Sequence, residues 1–250
     1  MIALVGDDHA AKSSSRAGQS DYQLKACGMP VLYPSNVQEI LDFGLNGIAM
    51  SRFSGCWVSL KLVTDVVEST SRVDVSVSRL EFRTPPLPTE PAGGLHIRTN
   101  EPPLDMEARL YEHKIPAALA YACANGLNQI LLNPARPRLG IVSAGKSWGD
   151  VRSALDALDL DDAAAQASSL RLLKLGMTWP IDSQILFDFV QGLEAVLVVE
   201  DKRPFIEEQV KAILFDLKPP AHVRVIGKSS ATGNGQRQAG QLPTAGELTP

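Results

Sequence analysis

Cysteine is scarce in this chain: three in 250 residues, Cys27, Cys56 and Cys123, far apart and odd in number. That excludes a disulfide scaffold and leaves no C-x-x-C metal spacing. Long apolar runs are missing too. None approaches the roughly 18–20 residues that span a bilayer. The opening Met1-Ile-Ala-Leu-Val5 lacks a basic start and meets Asp7-Asp8 at once, so it does not read as a signal peptide. Neither charge is in excess, since 24 Lys and Arg face 28 Asp and Glu for a net −4. That balance gives no electrostatic reason to expect nucleic acid or an anionic membrane as a partner. A reducing, cytoplasmic setting is the expectation. What is present is 44% hydrophobic and 21% charged residues, the composition of a soluble globular chain of one or two domains. No solenoid repeat is visible.

Two composition breaks divide the chain. Arg83-Thr-Pro-Pro-Leu-Pro-Thr-Glu-Pro-Ala-Gly-Gly94 is dense in proline and glycine and reads as a linker or long loop. After Lys228 the sequence is mostly Ser, Gly, Gln, Thr and Pro, too little to bury against the entropy of ordering it, as in a tail or interdomain linker. Between the breaks, short apolar runs read as strands: Ile2-Ala-Leu-Val5, Val31-Leu-Tyr33, Trp57-Val-Ser-Leu-Lys-Leu-Val63, Leu139-Gly-Ile-Val142, Leu170-Arg-Leu-Leu-Lys-Leu175, Ala195-Val-Leu-Val-Val199 and Val223-Arg-Val-Ile226. Helices are expected over residues 19–27, 37–52 behind Asn36, 103–125 with Pro116 bending or splitting it, 147–158, 182–193 and 204–215. Strands separated by such helices imply right-handed crossovers and parallel sheets. The economical architecture is two α/β units, residues 1–84 and 104–228, with a linker at 85–103 and a flexible tail at 229–250.

Several motifs have plain structural readings. Gly140-Ile-Val-Ser-Ala-Gly145-Lys146-Ser147 satisfies the phosphate-loop pattern. Both prolines in Pro134-Ala-Arg-Pro137 spoil any strand before it, so the strand must be Leu139 onward and must consume Gly140, Ile141 and Val142. The pattern is then a turn into a helix. The glycines at 233, 235 and 240 lack dinucleotide spacing. His9, His96, His113 and His222 share no metal-ligand spacing, and no metal site is expected. Glu207-Glu208 suits the positive end of a helix. Asp161-Asp162 reads as a solvated loop, and the three cysteines as small core residues. Met50-Ser-Arg-Phe-Ser-Gly-Cys-Trp57 reads as a helix end closed by Gly55.

One cluster exceeds a structural reading. Gly6-Asp7-Asp8-His9-Ala-Ala-Lys12-Ser13-Ser14-Ser15-Arg16 follows the first strand directly. The carboxyl end of a strand in an open parallel sheet is where ligands bind. Two carboxylates, an imidazole, two cations and three hydroxyls fall within eleven residues there.

Those residues, with Gln19-Ser20-Asp21, resemble the indolepyruvate ferredoxin oxidoreductase family. So do Met29-Pro-Val-Leu-Tyr-Pro-Ser-Asn-Val-Gln-Glu39, Met50–Trp57, Leu173-Lys-Leu-Gly-Met-Thr-Trp-Pro180 and Val198-Val-Glu-Asp-Lys-Arg-Pro-Phe-Ile-Glu-Glu-Gln209. The resemblance implies part of a thiamine-diphosphate-binding, pyrimidine-type parallel sheet, followed by a transketolase C-terminal-like α/β domain. It implies an oxidoreductase that decarboxylates a 2-oxo acid such as indolepyruvate, passes electrons through iron–sulfur clusters to ferredoxin, and forms an acyl-coenzyme A. A homo-oligomer is also implied. By the same resemblance the loop lies near the cofactor and substrate, making Asp7, Asp8, His9, Lys12, Ser13, Ser14, Arg16 and Gln19 the candidate binding residues, with no catalytic residue assigned. Lys12 or Arg16 would neutralise a substrate carboxylate, His9 would share a proton network, and Ser13, Ser14 and Gln19 would donate or accept hydrogen bonds. The family's principal ligands for thiamine diphosphate and magnesium, and its cysteine cluster, have no counterpart in these 250 residues. The expectation is therefore an internal fragment that is inactive alone. A half-sheet of this kind would leave an open edge and an uncovered apolar face. A non-catalytic subunit of such a complex, or a P-loop nucleotide-binding protein, are the competing readings.

Overall fold

The computed structural model describes residues 1–87, 90–217, 223–231 and 237–250; His222 lies outside them. In chain order the elements are β1 (Ile2–Asp7), α1 (Asp21–Ala26), β2 (Val31–Leu32), α2 (Val37–Ser54), β3 (Val58–Val63), α3 (Thr64–Val67), a 3-10 turn (Val77–Arg79), α4 (Pro103–Arg109), a π-helical turn (Leu110–Lys114) and α5 (Ile115–Ala124). They continue with β4 (Asn128–Leu132), β5 (Leu139–Ala144), α6 (Gly145–Ala157), α7 (Asp162–Ala167), β6 (Leu170–Leu175), β7 (Met177–Trp179), α8 (Ser183–Val190), β8 (Ala195–Val199), α9 (Phe205–Leu217), β9 (Arg224–Ile226), β10 (Ser229–Ala231) and β11 (Arg237–Ala239).

Two compact units result. The first comprises Met1–Asp7, Ser20–Leu127 and Gly176–Pro180; the second comprises Asp8–Gln19, Asn128–Leu175 and Ile181–Pro250. The expected division at residues 85–103 differs from this in three places. The helix after the proline-rich stretch belongs to unit 1, where Tyr121 of α5 donates its hydroxyl to Asn46 of α2 at 3.2 Å. The strand β7 also belongs to unit 1, while the loop Asp8–Gln19 belongs to unit 2.

The sheet of unit 1 runs β1-β3-β2-β7. The first three strands are parallel, with Ile2 opposite Val58 and Val31 opposite Ser59, and β7 joins antiparallel to β2. Asn36 caps α2 by accepting the Glu39 N–H at 2.9 Å, and Gly55 closes the helix in the left-handed region. Gly47 lets α2 settle on the strands, since a Cβ there would lie 2.7 Å from Ile2 Cδ1. Every β3 residue except Leu62 is buried, whereas edge strand β1 leaves Leu4 exposed, and α2 exposes Leu41, Leu45 and Ile48. β1 is thus an edge strand with apolar surface left exposed.

Pro116 explains the break in the long helix. Proline cannot donate to the carbonyl four residues back, and its ring crowds that turn. The chain widens into the π turn just before it instead of bending sharply.

Unit 2 is built on β4-β6-β5-β8-β9, with β6, β5, β8 and β9 parallel and β4 antiparallel at the edge. Its core gathers Leu132, Ile141, Trp148, Val151, Leu155, Ala165, Leu170 and Leu172. Asn128–Leu132 was not expected as a strand, and Asp161-Asp162 is not an idle loop: Asp161 accepts the Ala164 N–H at 2.8 Å and so caps α7. Residues 229–250, expected as a flexible tail, carry the β10–β11 hairpin and then run along unit 2. The Gly240 N–H donates to Lys228 O at 3.0 Å, and the Leu242 N–H donates to Gly227 O at 3.2 Å. Backbone hydrogen bonds thus hold a polar segment with few apolar residues. No helix among the described residues is long and apolar enough to cross a membrane.

Candidate functional site

The loop Asp8–Gln19 leaves the carboxyl end of β1 and is fixed at both ends within unit 2. Asp8 organises its first half. Its carboxylate accepts the backbone N–H groups of Lys12 at 2.8 Å, Ser13 at 2.7 Å and Ser14 at 2.9 Å. Successive N–H groups aimed at one point form an anion-binding nest, and Ala11 adopts φ 55° to close the turn. Here the nest is filled by the chain's own carboxylate. The Ser13 N–H foremost, with those of Lys12 and Ser14 and the Ser14 hydroxyl, outweighs burial and holds the Asp8 carboxyl down at about 2.

His9 is buried, and its Nδ1 lies 3.3 Å from Asp201 Oδ2, just beyond the end of β8. The same carboxylate accepts the Ser147 hydroxyl at 2.9 Å and the Leu248 N–H at 2.7 Å. Burial pushes the Asp201 carboxyl up; the His9 and Leu248 hydrogen bonds and the His9 and Lys146 charges outweigh it, to about 2. The trio Ser147, His9 and Asp201 is not a nucleophile triad. A nucleophilic serine must hand its proton to the histidine, and Ser147 donates to the aspartate.

At its far end the loop is clamped by Gln19. Its Oε1 accepts from Arg203 N at 3.2 Å and Nε at 3.0 Å, and its Nε2 donates to Arg203 O at 3.4 Å. Lys202 Nζ donates to the His9 carbonyl at 3.3 Å. Lys12 is exposed and pairs with Glu247 at 2.5 Å. The Ser14 hydroxyl donates to the Arg16 carbonyl at 2.7 Å. Arg16 is exposed, and its side chain makes no hydrogen bond or ion pair among the described residues.

Asp7 parts from its neighbours and belongs to unit 1. It is buried, accepts the Ser20 N–H at 3.0 Å and hydroxyl at 2.9 Å, and lies 3.6 Å from Lys61 Nζ. Lys61 donates to Asp21 at 2.6 Å and sits 4.6 Å from the centre of the Tyr33 ring. Removing a partner from such a buried charge cluster costs about 3–5 kcal/mol, because the remaining charge stays desolvated.

The expected loop residues thus divide. His9, Gln19 and Asp8 hold the loop, Asp7 holds the sheet end of unit 1, and Lys12, Ser13, Ser14 and Arg16 face outward. Sequence reasoning missed Lys61, which reads as an ordinary strand residue, and the partners at 200–203. A usable signal for the latter was present. Glu200-Asp201-Lys202-Arg203 is a dense polar run at the carboxyl end of the most apolar strand, the same logic that singled out residues 6–16.

The phosphate-loop pattern is structural. Gly140 lies in β5, where a Cβ would come within 2.7 Å of Phe189 and 2.5 Å of Leu193. Gly145 takes φ 52° to start α6, and Lys146 pairs with Asp150 at 2.9 Å and donates to the Leu248 carbonyl. Thiamine diphosphate with magnesium does not fit the donors present. The nest N–H groups are spent on Asp8, and no group of three or more His, Cys, Asp or Glu among the described residues is placed to hold a metal ion.

Comparisons with known proteins bear on this geometry. Residues 129–250 match the model of the indolepyruvate oxidoreductase domain. The indolepyruvate oxidoreductase subunit IorA of Methanothermobacter thermautotrophicus is 29% identical over 219 residues, covering 85% of this chain and 33% of that protein. The subunit of the same name from Pyrococcus abyssi is 30% identical over 228 residues, covering 86% of this chain and 32% of that protein. The chain therefore spans about a third of the length of the curated relatives it matches. Among solved structures, a 2-oxoglutarate:ferredoxin oxidoreductase from Magnetococcus marinus aligns with TM-score 0.57 at 14% identity, over 90% of this chain and 45% of that one. A split-gene transketolase, described as an inactive β4 tetramer, aligns with TM-score 0.51 at 14% identity, over 93% and 58%. The fold, α/β with parallel sheets, is like that of the transketolase and oxidoreductase structures, as expected.

Proposed function

From the premise that this chain is of the indolepyruvate oxidoreductase family, we propose that it forms the substrate-facing segment of a 2-oxo acid:ferredoxin oxidoreductase. The whole enzyme would convert an aryl 2-oxo acid oxidatively to its acyl-coenzyme A. It would depend on thiamine diphosphate and magnesium held by residues outside this chain, with iron–sulfur centres passing electrons to ferredoxin. Three dispersed cysteines, one of them buried, do not make a cluster site.

This chain's part is to bind and orient. One observation carries the reading: the loop at the carboxyl end of β1 is clamped at His9 and Gln19 and filled by Asp8, which leaves Arg16 as an exposed cation whose side chain is unpaired among the described residues. A 2-oxo acid presents a carboxylate beside the carbonyl that reacts. Arginine meets a carboxylate with two parallel N–H donors, which fixes orientation as well as charge. Of the two cations expected for that role, Lys12 is engaged with Glu247, so Arg16 takes it. The Ser13 hydroxyl faces the Asp8 carboxylate at 3.5 Å. His9 then acts by holding the loop rather than by moving a proton at the substrate.

The test uses the complex purified with this chain from its own cells. Viologen reduction dependent on an aryl 2-oxo acid and coenzyme A is expected, with Arg16→Met raising KM for the 2-oxo acid at least tenfold and leaving that for coenzyme A unchanged. Absence of 2-oxo-acid-dependent reduction in the purified complex would sink the family-level reading. Equal KM values in wild type and Arg16→Met would sink the assignment of Arg16.

A further inference from the structure

Unit 1 contains a cavity of about 570 Å³, within the range of small-molecule sites. Part of its lining, Ala26–Met29 and Gly55–Trp57, precedes β2 and β3 at the amino ends of strands parallel to β1, whereas Asp7 stands at a carboxyl end; residues between Ile97 and Lys114 supply the rest. It is therefore distinct from the loop discussed above.

Two left-handed glycines build one wall. Gly28, φ 65°, follows α1, and a Cβ there would lie 2.6 Å from Leu110 Cδ2. Gly55, φ 75°, ends α2, and a Cβ there would lie 2.8 Å from Leu95 O and 3.5 Å from Lys114 Cε. Only glycine permits this backbone and this approach together. The facing wall is the π turn, a widened turn that recurs at functional sites, and it contributes Leu110, Tyr111 and Lys114.

Trp57 and Tyr111 line the cavity while remaining 57% and 49% exposed. Large aromatic surfaces left open to solvent at a concave site are the usual anchors for a planar ligand. Lys114 is half-buried and makes no hydrogen bond or ion pair among the described residues. Burial foremost pushes its ammonium down, the cations Arg109 and Arg98 add to that, and Cys56 pulls the other way; burial in turn pushes the Cys56 thiol up, toward its neutral form. Arg109 is committed elsewhere, to Glu101 and to the His96 carbonyl at 3.0 Å. Glu107 also lines the cavity but is exposed. Among the described residues the half-buried ammonium has two like charges and a buried thiol near it but no carboxylate paired with it.

We propose that this cavity binds a small aromatic carboxylate, its ring against Trp57 and Tyr111 and its carboxylate on Lys114. The proposal does not rest on the function assigned to the loop, and its test does not involve turnover.

The 250-residue chain is titrated calorimetrically with three probes that share a ring and differ in charge: indole-3-acetate, indole and tryptamine. Indole-3-acetate is expected to bind saturably and at least tenfold more tightly than tryptamine. Lys114→Met erases that preference by weakening indole-3-acetate about tenfold and leaving indole unchanged; Lys114→Arg keeps it; Trp57→Leu weakens all three. The anion preference is read on the wild-type chain, so it stands even if a variant fails to fold. No saturable binding of indole-3-acetate, equal affinity for tryptamine, or full affinity in a folded Lys114→Met would each overturn the proposal.

Discussion

At the scale of single residues, Asp201 concentrates the most consequence. One buried carboxylate receives His9, Ser147 and Leu248. Its folded pKa is held at about 2, below the ordinary aspartate value near 3.9. A group depressed in the folded state contributes stability that is complete above its unfolded pKa and is lost as pH falls through the folded one. The window is therefore about pH 4 down to pH 2, with a contribution of about 2 kcal/mol lost across it. Urea unfolding of wild type and Asp201→Asn at pH 6 and pH 2 checks this. The variant is expected to be the less stable at pH 6 and to lose about 2 kcal/mol less than wild type on acidification; equal acid losses in the two proteins would refute the assignment. None of this was legible locally. His9 lay in the polar run that attracted attention, but its partner sits 192 positions later, just past the end of β8, and no spacing rule joins them. Lys61 was hidden for a different reason: a lone lysine inside an apolar strand looks solvent-facing until Asp7 and Asp21 are placed beside it.

At the scale of elements, periodicity and turn chemistry read well where the element carries its own signals. Leu170–Leu175 and Ala195–Val199 match the expected strands residue for residue, and α2 begins behind Asn36 and stops at Gly55. Elements whose stability comes from elsewhere were missed. Met177–Trp179 is only three residues long and is a strand because β2 accepts it as an antiparallel neighbour. The Gly140-to-Ser147 pattern shows the converse, a local signal with a tertiary cause. Gly140 is glycine because α8 and the turn after it bring Phe189 and Leu193 against β5. Gly140→Ala is thus expected to cost about 1–3 kcal/mol by overpacking, measured by urea unfolding. Magnesium ATP and magnesium GTP are expected to leave the melting temperature of both proteins unmoved, since bound ligand would raise it; a nucleotide-dependent rise abolished by Lys146→Ala would restore the nucleotide reading. The start of α9 has a cap of the same long-range kind. Glu200 accepts the N–H groups of Phe205 at 3.1 Å, Ile206 at 2.8 Å and Glu207 at 2.9 Å, from four positions before Pro204, where a capping residue is normally sought. Glu200→Ala strands those buried donors and is expected to cost about 1–3 kcal/mol by the same measurement; a loss below 0.5 kcal/mol, roughly that of an ordinary surface change, would remove the cap from this account.

At the scale of the whole chain, composition located two α/β bodies but not their membership. A polypeptide that leaves one unit at Asp8 and re-enters it at Ser20, then crosses again at Gly176 and Ile181, has boundaries set by contacts and not by proline content. The last eleven residues were misjudged on the same grounds. Their composition is that of a linker, yet buried charges elsewhere in unit 2 use their backbone. Lys228, 2% exposed, donates to the Pro243 carbonyl, Lys146 donates to the Leu248 carbonyl, Asp201 accepts the Leu248 N–H, and Glu247 holds Lys12. The segment is thereby tied to the loop Asp8–Gln19 through two of its residues, Lys12 directly and His9 by way of Asp201. A chain lacking residues 241–250 loses two charge-assisted hydrogen bonds to buried groups, those of Lys228 and Asp201, at about 1.5–3 kcal/mol each. Its urea unfolding free energy is expected to fall by about 3–6 kcal/mol. Limited trypsin digestion separates that global loss from the local one. Lys12 and Arg16 are exposed in the intact chain, and cleavage there is expected to accelerate more than cleavage at Arg72, an exposed site in unit 1 that no part of the segment holds. Uniform acceleration at all three sites would mean that the segment stabilises the chain as a whole without holding the loop, and Arg16 would then need another element to fix its position for a substrate carboxylate.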